Sequence, residues 1–291
     1  MEIGSKQIEI KTGEPINIYF IGDPHEGNCN CNHKALKEAV EIIRNDPNAY
    51  WFGMGDYIEA IIHAGDPRFD PKAIDKEYTV RDLKDLPMKQ AERIFSYLKS
   101  IQDKCLGLLC GNHEEQYIKR HSSNIYDRFV NMFTTSAHEE GKPPKKLGYV
   151  GFYNLILGRK NSRESLAISI ALNHGVGGGG YLEGYPINKV HQVFKYMHGD
   201  INVMGHIHRL GKSQKNIVTC SARNLLKRKQ RLWGISGCFL NAYVEGNTNY
   251  YESRAGAGGE SDIGMLKCSI NIHLHHKVGM TWTGRMEEIY L

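Results

Sequence analysis

Five short polar clusters constrain this chain more than any other feature, because each follows an apolar run that reads as a buried strand. Asp23-Pro24-His25 follows residues 16–22 (INIYFIG), and Gly55-Asp56 closes YWFGMG. Gly111-Asn112-His113-Glu114 follows KCLGLLC. Asn173-His174-Gly175 ends SLAISIAL, and Gly205-His206-Ile207-His208 ends INVM. Each cluster therefore falls at a strand's carboxyl end, the edge where ligands bind in open α/β sheets.

The connections point to the same class of fold. Asn32 stands as N-cap to HKALKEAVEIIRN, whose apolar residues Ala35, Leu36, Ala39, Val40 and Ile43 share one helical face. Residues 87–102 form a second helix with Pro at its start. Strand, helix and strand alternate, which implies parallel βαβ units. LGYVGFYNLILGR and SLAISIALNHG, joined by the polar turn KNSRE, read instead as an antiparallel pair. Short strands are expected at residues 201–205 and 216–220, with short strands and Gly-rich turns beyond. This mix calls for an α/β fold of two mixed sheets packed face to face with helices outside, a four-layer α/β/β/α sandwich. We expect a single domain over residues 1–291, with a polar, Asp- and Pro-rich insert at about 60–86 that is long for a simple loop.

The chain has 291 residues, 41% hydrophobic and 24% charged, an ordinary globular composition. No run approaches the roughly 20 apolar residues of a membrane helix, and the N-terminus lacks the basic-then-apolar layout of a signal peptide. A cytoplasmic protein with no membrane partner is expected. The net charge of +5 leans mildly toward anionic partners. Seven Cys, without a CxxC pair, indicate neither a zinc ribbon nor a disulfide framework. Oligomeric state is left open.

The residue types in the clusters suit two divalent metals, since carboxylate oxygen and imidazole nitrogen bind zinc, manganese or iron. Asp23-x-His25 and His206-x-His208 have the i, i+2 spacing that places both side chains on one side of an extended segment. Glycines before Asp56, Asn112 and His206 permit sharp turns. Two metals about 3.5–4 Å apart can clamp the attacking and leaving oxygens of an in-line displacement and activate water near neutral pH.

The series DxH, GD, GNHE, HG, GHxH, running from Asp23 to His208, resembles the calcineurin-like metallophosphoesterases. The resemblance implies a dinuclear hydrolase of phosphoesters. In it Asp23, His25 and His208 would hold one ion, Asn112, His174 and His206 the other, and Asp56 would bridge them. His113 would face the substrate and stabilise or protonate the leaving oxygen. The ions would be manganese, iron, zinc or nickel, with manganese favoured. Many members carry Arg in a GDxxDR motif; here the residues are Gly55-Asp56-Tyr57-Ile58-Glu59-Ala60, so that Arg is absent. Glu59 keeps the acidic position and has two readings, a partner that orients His113 or a surface carboxylate. The missing Arg leaves phosphodiesterases, acting on nucleic acid or nucleotides, favoured over phosphomonoesterases including protein Ser/Thr phosphatases. A non-catalytic scaffold is the remote alternative, since all eight residues are present.

Weaker signals have two readings each. The loop from Gly175 through Gly177 and Gly178 to Tyr181 could cradle a phosphate or gate the site. Lys227-Arg228-Lys229-Gln230-Arg231 could bind a nucleic-acid backbone or be a solvated turn. Tyr250, Tyr251, Glu252 and Arg254 could line a pocket or pack as rim. His273, His275 and His276 read as one face of a strand.

Overall fold

The structure, a computed structural model, describes the chain apart from residues 12, 63–64, 137–142, 179–181, 221–223, 225, 248–249, 256–258 and 276–278. Thus His276, Gly179, Gly180 and Tyr181 lie outside the described residues, as do the side chains of Lys227 and Arg254.

Strand β1 is Glu2–Glu9 and β2 is Ile16–Ile21. Helix α1 (His33–Asn45) starts where Asn32 Oδ1 accepts the Ala35 N–H at 3.0 Å, and it buries the five apolar residues of its stripe. There follow β3 (Ala49–Gly53), α2 (Leu86–Leu98), β4 (Cys105–Leu109), α3 (Asn112–His121) and α4 (Ile125–Ser136). The middle of the chain gives β5 (Lys145–Gly148), β6 (Val150–Gly158), β7 (Ser165–Asn173), α5 (Tyr185–Val193) and β8 (Ile201–Met204). The last elements are β9 (Leu210–Cys220), β10 (Leu226–Ser236), α6 (Tyr250–Ala255), β11 (Gly264–His275) and β12 (Gly279–Tyr290).

Two six-stranded sheets form, in orders β1-β6-β7-β8-β10-β9 and β12-β11-β2-β3-β4-β5. Strands β2 to β5 are parallel, while β6 and β7 are the expected antiparallel pair. The two-residue period of a strand sends its side chains to two cores. On β2, Ile18 and Phe20 meet Leu155, Ile170 and Ile201 of the facing sheet. Tyr19 and Ile21 of the same strand turn outward to Leu36, Ile43 and Ile94 of the helices. Beyond the other sheet, Val190 and Phe194 pack on Ala171, Met204 and Ile235. The layers are therefore helix, sheet, sheet, helix, as the alternation of runs implied.

The region after His208 differs from the expectation of short strands. β9 and β10 have 11 residues each and β11 and β12 have 12 each. Their length comes from pairing with one another across hairpins, a partner choice that local periodicity does not carry. His273 and His275 do share a face, bonding Thr283 and Thr281 across the β11–β12 hairpin.

The described residues of the 60–86 segment include short 3-10 turns at Pro71–Ala73 and Asp82–Asp85 and a bridge from Ile74 to Asn28, and the segment is firmly docked. Cys29 N–H donates to the Ala73 carbonyl at 2.8 Å and Asp75 N–H to the Gly27 carbonyl at 3.0 Å. Arg93 of α2 reaches Asp75 at 3.0 Å, and the Tyr78 hydroxyl donates to the buried Glu26 at 2.9 Å. These ties fix the segment beside the edge where the polar clusters emerge.

Candidate metal centre

The carboxyl ends of β2, β3 and β4 in one sheet and of β7 and β8 in the other meet at a single edge. Their loops are stitched by main-chain hydrogen bonds. Asp23 N–H donates to the Gly55 carbonyl, His25 N–H to Asp56, and Gly205 N–H to Asn173.

The i, i+2 pairs converge, but not through extended backbone. Asp23, His25, Asp56, His206 and His208 all have φ between 50° and 73°. They make up five of the nine described non-glycine residues in left-handed conformation, a region that costs a side chain of this kind on the order of 1 kcal/mol or more. The left-handed turns aim these side chains inward. Gly111 is needed for a related reason: a Cβ there would lie 2.1 Å from both the amide nitrogen and Oδ1 of Asp56.

All seven expected metal ligands come together. Asp23, His25 and His208 form one donor group, and Asp56, His174 and His206 a second, the atoms within each lying within 4.8 Å of one another. Asn112 Oδ1 is 3.0 Å from His174 Nε2. Asp56 Oδ2 stands between the groups, 3.3 Å from His174 Nε2 and 3.8 Å from His25 Nε2. Its other oxygen accepts the His113 N–H at 2.8 Å, at the start of α3.

Hydrogen-bond partners set which ring nitrogens face inward. His25 Nδ1 bonds the Glu59 carboxylate at 3.0 Å, and His174 Nδ1 donates to the Met54 carbonyl at 2.7 Å. The Nε2 atoms of both therefore point into the centre. Glu59 thus orients His25; its main-chain carbonyl, at 2.5 Å from Nδ1, is what orients His113.

The donor set fits divalent cations. Nε2 of His25 and Nε2 of His208 lie 3.1 Å apart, one donating to the other in the right tautomer, and a cation placed between them takes the lone pair of each. Asp23 Oδ1 and His206 Nδ1 are buried without a hydrogen-bond partner among the described residues, Asp23 Oδ1 lying 3.6 Å from His208 Nε2. Burial would lower His174, yet Asp56 pushes it up to about 10, so a positive charge is favoured at this spot. Burial would raise Asp56, but His174 and His113 hold it well below the usual carboxylate range. Burial and the neighbouring His174 take His206 down to about 4, which keeps its nitrogens free as ligands.

Around the centre lies a cleft of about 220 Å³ whose walls include His113, Arg68, Gly177, Gly178, Tyr250 and Tyr251. Gly177 and Gly178 are thus at the cleft, on the described part of their loop. Tyr251 stacks on His208 with ring centroids 5.0 Å apart, and its hydroxyl is 3.2 Å from His25 Nε2. The Tyr250 hydroxyl is 3.4 Å from His113 Nε2.

Three features escaped the sequence reading. Glu114 accepts the N–H groups of Gly111, Asp56 and Ile58 at 2.8, 3.0 and 3.2 Å, locking two ligand loops together. Its signal was present, since a Glu three residues after an N-cap is the capping-box spacing. Of the two readings of Tyr250 and Tyr251, pocket lining and rim, the structure supports the first, though nothing in the sequence chose it. Arg68 had no local signal at all.

A family model described as calcineurin-like phosphoesterase matches residues 16–210, and the chain belongs to that family. Nothing among curated proteins matches it. Similar solved structures include a Vps29 double mutant from Entamoeba histolytica, 8% identical, covering 94% of this chain and 99% of that one at a TM-score of 0.34. Vps29 from Chaetomium thermophilum is 9% identical, with 94% and 97% covered and a TM-score of 0.34. The NAD nucleotidase NadN from Haemophilus influenzae is 10% identical, with 97% and 51% covered and a TM-score of 0.37.

Proposed function

We propose that this chain hydrolyses phosphate diesters of the nucleotide or nucleic-acid type, using two divalent ions, manganese foremost. The observation that carries the reading is the single buried carboxylate of Asp56 set between two groups of ligand atoms. Asp23, His25 and His208 would hold one ion, Asn112, His174 and His206 the other, and Asp56 both. When bound, such a pair supplies Lewis acidity and lowers the pKa of water toward neutrality.

The chain's own groups do the rest. Glu59 and the Met54 carbonyl keep the His25 and His174 rings turned to the ions. The Nδ1–H of His113 is committed to the Glu59 carbonyl, so Nε2 is the atom facing the cleft. In its doubly protonated form it would hand that proton to the leaving oxygen. Tyr250 and Tyr251 wall the cleft beside His113 and His25.

Charge balance supports a diester over a monoester. Of the cations at the cleft, Arg68 is paired with Asp66 at 2.8 Å and Arg209 with Asp262 at 3.3 Å. A cleft whose cations carry their own carboxylates suits a singly charged diester better than a doubly charged monoester. Five buried unpaired cysteines support a reducing compartment, and we place the enzyme in the cytoplasm, as a single domain.

The test is hydrolysis of bis-p-nitrophenyl phosphate and of p-nitrophenyl phosphate after manganese loading, with Asp56→Asn alongside. Faster diester cleavage, and loss of both metal and turnover in the variant, are the expected results. Dominant monoester cleavage would replace the diesterase reading, and an active Asp56→Asn would overturn the shared-ligand role.

A further inference from the structure

The Arg that the GDxxDR pattern would place beside Asp56 is missing, yet a guanidinium reaches the cleft by another route. Arg68 follows Asp56 by 12 residues, inside the 60–86 segment, and lines the cleft with Asp56, Asn112 and His113. We infer that Arg68 grips a non-bridging oxygen of the substrate phosphate, so that the insert supplies the anion clamp of this site. The inference rests on the phosphoester-hydrolase reading above.

The side chain is held as a clamp would need to be. Its relative exposure is 11%, and that of its partner Asp66 is 4%. Nε donates to Asp66 Oδ1 at 3.0 Å and Nη2 to Oδ2 at 2.8 Å, the two-point geometry that fixes a guanidinium plane. Nη2 also bonds Gln116 Oε1 on α3, and Arg120 of the same helix braces Asp66 Oδ2 at 2.7 Å. Tyr250 lies under the guanidinium, its ring centroid 5.8 Å away.

Counting donors shows what is left over. Arginine has five N–H groups. One from Nε and two from Nη2 go to Asp66 and Gln116, and one from Nη1 points at His113 Nε2, 3.3 Å away. The remaining Nη1 N–H has no partner among the described residues, and Arg68 is part of the cleft wall. Nη1 and His113 Nε2 thus sit side by side among the residues that line the cleft with Asp56 and Asn112. A phosphate oxygen in the cleft would meet a fixed positive charge with a donor to spare. The planar, permanently charged guanidinium is the side chain suited to that contact.

The test uses the full chain loaded with manganese and inorganic phosphate as the probe. Arg68→Ala should keep the parent's metal-to-protein ratio while phosphate binding weakens roughly tenfold to a hundredfold, the range for losing a charged hydrogen bond. KM for bis-p-nitrophenyl phosphate should rise more than kcat falls, and free guanidinium should restore part of kcat/KM, which a strut for His113 would not give. Phosphate affinity within about twofold of the parent overturns the inference. Should the alanine variant fail to fold, Arg68→Lys decides. Its ammonium cannot bond Asp66 at two points and reach the phosphate together, so unchanged affinity there also overturns it. A loaded parent that binds phosphate through Arg68 but cleaves neither ester would sink the hydrolase reading and leave the clamp. A parent that cleaves, with phosphate binding indifferent to Arg68, would sink the clamp alone. A loaded parent that binds no phosphate sinks it as well.

Discussion

His25 and His208, 183 residues apart in the chain, bring their Nε2 atoms to within 3.1 Å. A cation bound there would take a lone pair from each ring and tie the two segments together. Divalent metal should therefore stabilise the protein, by about 2.7 kcal/mol when free metal is a hundred times its Kd. Thermal melts with chelator and with added manganese measure this directly. His208→Ala should lose most of the shift; a melting point indifferent to metal in the parent would contradict the assigned ligands.

His113 touches Asp56 through its main chain but turns its ring to the cleft. Replacing it with alanine should leave both metals bound and lower the rate by roughly 10²–10⁴, the usual contribution of a general acid. The loss should shrink on esters with good leaving groups, which need no proton. Metal analysis beside kcat for a series of leaving groups checks it, and departure of a metal would make His113 a ligand instead.

Glu114 accepts three buried N–H groups, those of Gly111, Asp56 and Ile58. Glu114→Ala should cost about 3 kcal/mol or more, on the order of 1 kcal/mol or above for each orphaned donor. Urea unfolding would show it. A loss under about 1 kcal/mol would mean the Gly55 and Gly111 loops hold each other without the carboxylate.

Asp66 is taken far below the ordinary carboxylate value by its bonds to Arg68, burial opposing. A carboxyl whose folded pKa is depressed adds stability above its unfolded value, about 3.9, and loses it as pH falls toward the folded value. Unfolding free energy should thus drop as pH falls from about 4, and Asp66→Asn should flatten that part of the profile. An unchanged acid limb in the variant would show that the pair adds nothing to stability.

Much of this centre was legible before the fold was known, for a physical reason. Ligands at strand ends follow apolar runs, and both the run and the ligand are local in sequence. The helix at Asn32 was readable likewise, from a cap and a stripe. What stayed hidden depends on distant partners. Arg68 has no pattern of its own, since its place comes from Asp66, Gln116 and the docking of the insert on Glu26 and Gly27. The i, i+2 pairs were read as extended, because nothing in Asp-Pro-His or His-Ile-His announces left-handed backbone. The long β11 and β12 were missed because each strand's length is set by its neighbour's register.

Those left-handed ligands also say where stability and activity pull apart. At Asp23, His25, Asp56, His206 and His208 the side chain proposed to bind a metal is the one the backbone disfavours. Glycine at any of them would relax the main chain while removing a donor. A screen for heat resistance alone would therefore be drawn toward these positions and return a tougher protein that cannot work. A lineage released from its chemistry would be expected to erode there first.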